Sequence, residues 1–149
     1  MSIELCTIII VPLMLLMAVF YDLKSFRIPN RLNAVLTVLG LFTSLVYGGV
    51  GYFGYGAIGV ILPFFILYFL FYVRIVGAGD IKLLCGIGSF VHLGIVKIII
   101  LSFILTACMG VLIVTVNIVS AYYTRTKQLT RIHLSIPIAL ATAIYLCVG

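Results

Sequence analysis

Residues 93–119 read LGIVKIIILSFILTACMGVLIVTVNIV, with Lys97 as the one charged side chain. A helix needs about 20 mostly apolar residues to cross the hydrocarbon core of a bilayer. This run is long enough, and residues 58–73 begin a second of the same kind. Helices satisfy their own backbone hydrogen bonds, which is the condition for lying in lipid. The stretch therefore predicts an all-α, polytopic membrane bundle. Composition agrees, at 65% hydrophobic, 8% charged and mean hydropathy +1.41. With 149 residues the chain has room for one integral-membrane domain, 1–149, and none for a separate soluble module.

Working outward, the apolar windows predict six spans, at roughly 4–21, 31–47, 57–74, 80–94, 97–121 and 133–149. The fourth is short and holds Gly86 and Gly88, so it is expected to start or end inside the protein. Residues 48–56 carry five glycines and no charge, and read as a flexible turn flanked by the interfacial aromatics Tyr47, Tyr52, Phe53 and Tyr55. The N-terminus lacks a basic segment and a small-residue cleavage site, so it reads as a retained first span. Cys6, Cys85, Cys108 and Cys147 lack metal or redox spacing and read as buried apolar thiols.

The net charge of +6 is distributed in a way that bears on topology. Alternating connections put Lys24, Arg27, Arg31, Arg74, Lys82, Arg125, Lys127 and Arg131 on one side, and Lys97 on the other. By the positive-inside rule the first side is cytoplasmic and both termini are extracytoplasmic. No basic face with interleaved aromatics exists outside the apolar runs, so nucleic acid is excluded as a partner. Membrane lipid is expected instead.

Only three acids occur, Glu4, Asp22 and Asp80. A charge at mid-bilayer costs roughly 2.5–3.5 kcal/mol, and less near the interface. Asp22 ends the first predicted span and Asp80 begins the fourth, both on the predicted cytoplasmic side. Packing those helices together would bring the two carboxyls face to face. Two close carboxyls do not both ionise cheaply; they share a proton and titrate as a unit. Such a pair can draw a proton from a water while polarising the carbonyl that the water attacks. No metal or cofactor is needed. Helix ends suggest that Asp80, at a helix start, is the more often ionised partner, and Asp22, at a helix end, the more often protonated one. Gly77, Ala78 and Gly79 are small enough for a tight turn and a close substrate approach. The same residues admit a plainer reading, with Asp80 as a helix cap and Asp22 paired to Lys24 or Arg27. A small transporter or proton relay, or a non-catalytic assembly subunit, are the alternatives in other classes.

Asp22-x4-Arg27-Ile28-Pro29-Asn30 together with Gly77-Ala78-Gly79-Asp80-x-Lys82 resembles the type IV prepilin peptidases, membrane aspartic proteases of the GxGD class. The likeness covers both motifs, their order and the multi-span setting. It implies catalysis by Asp22 and Asp80, and removal of a basic leader from prepilins or pilin-like proteins at the cytoplasmic membrane. Arg27, Pro29 and Asn30 would shape the site, and Lys82 matches a position often basic in the family. Pilus or type II secretion machinery would be partners. The chain lacks the paired Cys-x-x-Cys segment of larger members, which makes it similar to compact, peptidase-only ones without N-methyltransferase activity. An archaeal preflagellin peptidase is a related reading. Because no cytoplasmic acid remains beyond the pair, the leader's basic residues would not be read by salt bridges. The substrate's apolar helix and the small residue at the cut would be read instead.

Overall fold

The computed structural model describes residues 3–25, 28–123 and 134–148. They form α1 (Ile3–Ser25), α2 (Asn30–Tyr72), α3 (Ala78–Val91), α4 (Ile95–Tyr123) and α5 (Ser135–Val148), with a 3-10 turn at His92–Gly94 between α3 and α4. The all-helical expectation holds among the described residues. The expectation of six spans does not. Among the described residues, three helical stretches are long and apolar enough to cross a membrane: Leu5–Ser25, Asn30–Tyr72 and Ala78–Asn117. The placement of both termini outside rested on six crossings and falls with that count. Arg27, Arg125, Lys127 and Arg131 lie outside the described residues.

The miscount has identifiable causes. The glycine-rich segment was expected to be a non-helical turn, but only Gly49 leaves helical geometry, at φ 72 and ψ −168. That conformation is open to glycine and strained for other residues. The predicted second and third spans are thus one element, α2, bent at a single residue. The predicted fourth and fifth spans are joined by the short turn at His92–Gly94 into one apolar stretch. The predicted sixth span is α5, with 14 residues. At 1.5 Å per residue that is about 21 Å, short of the ~30 Å core.

The bend folds α2 around α3. In its first half, Asn33 meets Gly79, Leu36 meets Gly86 and Ser44 meets Ser89 and His92. In its second half, Tyr52 meets His92, Gly56 meets Ser89 and Gly59 meets Gly88. Numbers on α3 rise along the first half and fall along the second, so the two halves run antiparallel with α3 packed against both. Glycines permit this closeness. A Cβ on Gly59 would strike the Gly88 carbonyl, and one on Gly88 would strike that of Gly59. Without a hydrophobic drive between helices in lipid, such close backbone packing is what holds them.

The core runs from Val11, Leu15 and Ala18 of α1 through Leu36 and Leu67 of α2 and Leu83, Leu84 and Ile87 of α3 to Ile98 of α4 and Ile138 of α5. Large apolar side chains also point outward, among them Ile9, Phe65, Phe69 and Val111. An apolar exterior of this extent suits lipid rather than water. Of the four thiols, Cys6 is buried, Cys85 is half-buried, and Cys108 and Cys147 are exposed on this apolar surface. The expectation of buried thiols therefore needs correcting for Cys108 and Cys147: their helices carry apolar residues on every side, and sequence does not say which side faces inward.

Candidate active site

Four segments meet at one end of the bundle: the end of α1, the start of α2, the start of α3 and the start of α5. Asp22 lies one turn before the end of α1 and is buried. Pro29 caps α2 with φ −61 and ψ 131, so the chain arrives extended, and the Leu32 N–H donates to the Pro29 carbonyl at 3.1 Å. Gly77 caps α3 and puts Asp80 in its first turn. The Asp80 carboxylate accepts a hydrogen bond from the Gly77 backbone. That is the reach of an acid at the third helical position back to the cap.

A cavity of about 590 Å³ opens between these segments, lined by Asp22, Ser25, Ile28, Pro29, Asn30, Gly77, Ala78, Gly79 and Asp80. The predicted pair is therefore brought to one cavity, together with the small residues of its motif. The reason for glycine at 77 differs from the expectation of a tight turn. Its φ of −76 and ψ of 147 suit any residue. What glycine supplies is room, since a Cβ there would lie 2.9 Å from Asp80 Oδ2. Ala78 is exposed, and Gly79 packs its Cα side against Ile28.

The other predicted residues divide. Asn30 lines the cavity. Lys82 does not: it is exposed, donates from Nζ to Asn30 Oδ1 at 2.9 Å, and borders a second cavity of about 360 Å³ with Asn33, Thr37 and Cys85. Arg27 lies outside the described residues.

Two residues at this end were not anticipated. Asn33 is buried, and its amide Nδ2 donates to the Gly79 carbonyl at 3.3 Å, tying α2 to the turn that carries Asp80. Ser135 is fully buried at the start of α5 and donates its hydroxyl to Asp22 Oδ2 at 2.5 Å. Asn33 carried a faint signal, as a polar residue three positions after Asn30 on an apolar helix. Ser135 carried none, being one hydroxyl 113 positions from its partner.

Compared with known proteins, residues 9–115 match the sequence profile of the type IV leader peptidase family. No curated protein and no solved structure matches the chain. The matched stretch holds both aspartates, α2 and α3, and stops before α5.

Proposed function

The chain belongs to the type IV leader peptidase family, and from that premise we propose that Asp22 and Asp80 are the catalytic pair of this membrane peptidase. Membership makes the protein an aspartic-type prepilin peptidase, a hydrolase with prepilin-type substrates. The observation that carries the assignment is the single cavity lined by both carboxyls, among a chain with one other acid. That acid, Glu4, stands 18 positions before Asp22 on α1, about 27 Å away along the helix.

In the proposed reaction the two carboxyls hold one proton between them. The ionised member takes a proton from a water in the cavity, and the water oxygen attacks the scissile carbonyl. The protonated member hydrogen-bonds the carbonyl oxygen as charge develops on it. A proton then passes to the leaving amine as the C–N bond breaks. The apolar flank of the cavity, Ile28 and Pro29, and the small residues Gly77 and Ala78 leave space for an extended substrate backbone.

We place this end of the bundle on the cytoplasmic face of the cytoplasmic membrane. Lys24, Arg31, Arg74 and Lys82 all stand within a few residues of the cavity-lining segments, whereas Lys97 follows the turn at the far end of α3. Positive charge collects on the cytoplasmic side of membrane proteins. With no acid besides Asp22 and Asp80 among the cavity-lining residues, a basic leader finds no carboxylate there other than the pair. Recognition then rests on the substrate's apolar helix beside the bundle and on a small side chain at the cut.

The test is co-expression of a prepilin with wild type, Asp22→Asn and Asp80→Asn, reading the shortened product. Each variant is expected to leave the leader attached. Cleavage at the wild-type level by either variant refutes the assignment.

A further inference from the structure

We propose that Ser135 is a positioning residue for Asp22, an inference that rests on Asp22 being a member of the catalytic pair. The terminal torsion of an aspartate is broad, so rotamer preference alone does not fix the plane of its carboxylate. A reaction that depends on where a carboxyl oxygen points needs something else to hold it. Ser135 supplies that hold: its hydroxyl donates to Oδ2 of Asp22 at 2.5 Å, with the serine fully buried.

The bond differs from those of several other buried hydroxyls here, although Ser44 also reaches across, from α2 to the Ser89 carbonyl of α3. Ser89, Ser102 and Thr142 each donate to a carbonyl of their own helix, at Gly86, Ile98 and Ile138. That is the usual recourse of a hydroxyl in a helix. Ser135, at the first residue of α5, reaches across to α1 instead. At 2.5 Å the bond stands at the short end of the range for an O–H···O bond. Rotation of the Asp22 carboxylate would break the bond and strand a buried hydroxyl. The family match ends at residue 115, so this contribution comes from a helix that the shared pattern does not describe.

The experiment measures cleavage of a prepilin with a basic leader by the full chain in detergent, with wild type, Ser135→Ala, Ser135→Thr and Asp22→Asn side by side. Ser135→Ala is expected to lower kcat about ten- to a hundredfold, the loss of one buried hydrogen bond to Asp22, with KM within about twofold of wild type. Ser135→Thr keeps the hydroxyl and is expected to recover most of the rate. Three results would overturn the role: Ser135→Ala within twofold of wild type in kcat, a loss confined to KM, or Thr as impaired as Ala. Asp22→Asn separates the two claims. If it still cleaves, the pair itself is misassigned; if it is dead while Ser135→Ala is fully active, only the role of Ser135 fails.

Discussion

Replacing Gly59 by alanine should loosen the protein and slow its chemistry, although residue 59 is far from the cavity. A Cβ at this position would run into the Gly88 carbonyl oxygen, with the Gly88 carbonyl carbon at 2.8 Å and the His92 carbonyl oxygen at 3.0 Å. Carbon contacts are comfortable at about 3.5–4.0 Å. All three obstacles are backbone, so no side chain can swing away, and α3 must move from α2 by about 1 Å. Overpacking typically costs about 1–3 kcal/mol, and backbone obstruction puts this case near the top of that range. Alanine regains about 1 kcal/mol of helix propensity over glycine, leaving about 2 kcal/mol of net destabilisation. For a chain of this size that lowers Tm by roughly 4–8 °C. The same displacement carries Asp80, at the start of α3, away from Asp22, and a 1 Å misplacement can lower a rate about a hundredfold. Gly54→Ala is the control, since nothing lies within 4 Å of a Cβ there. Thermal melts in detergent, followed by circular dichroism because the chain has no Trp, and a cleavage assay provide the readouts. If Gly59→Ala and Gly54→Ala melt together and cleave equally, the close crossing of α2 and α3 is wrong.

Gly77→Ala keeps an acceptable backbone but presses on Asp80 Oδ2. Its kcat is expected to fall about tenfold or more while its melt stays within about 0.5 kcal/mol of wild type, and unchanged kcat would contradict the steric account. At Gly49 no atom lies within 4 Å of a Cβ, so only the positive φ resists substitution. Gly49→Ala and Gly49→Asn are both expected to cost about 1–3 kcal/mol, because φ 72 with ψ −168 is a region essentially open to glycine alone, measured by the same melts; no cost for either would remove the backbone explanation. Lys82→Ala breaks an exposed hydrogen bond to Asn30 outside the main cavity. Cleavage within about threefold of wild type is expected, as for a bond worth under 1 kcal/mol net, and a loss beyond about tenfold would place Lys82 in the chemistry.

The helical class and the Gly77-to-Asp80 part of the cavity lining were legible because they depend on local features. Residues 93–119 declare a lipid-facing helix by composition, and Gly77 to Asp80 sit on adjacent positions that a helix start must place together. The count of spans was not legible, because hydropathy does not distinguish a bend from a break. Gly49 leaves helical geometry while Gly48, Gly51, Gly54 and Gly56 stay within the helix, and nothing in their composition ranks them. Ser135 was out of reach for another reason. Its meaning lies in one contact across 113 positions, and a single serine on an apolar helix has no pattern around it. The role of Gly77 was half read: small size was the right property, but the need was space for a carboxylate rather than an unusual backbone angle.

The bend in α2 bears on how the chain enters the bilayer. Asn30, where α2 begins, lines the same cavity as Gly77, five positions past Tyr72, where it ends. Both ends of the helix therefore lie on one side. Between Arg31 and Arg74 there is no Asp, Glu, Lys or Arg. Insertion of this segment as a folded pair thus transfers no charged side chain through lipid, and avoids the roughly 2.5–3.5 kcal/mol that each basic group would meet at the bilayer centre. The leading tip of the pair is a run of glycines and tyrosines. Arg31 and Arg74 stand at the two ends of the pair, where charged side chains resist being drawn into lipid and limit how deep the pair can go.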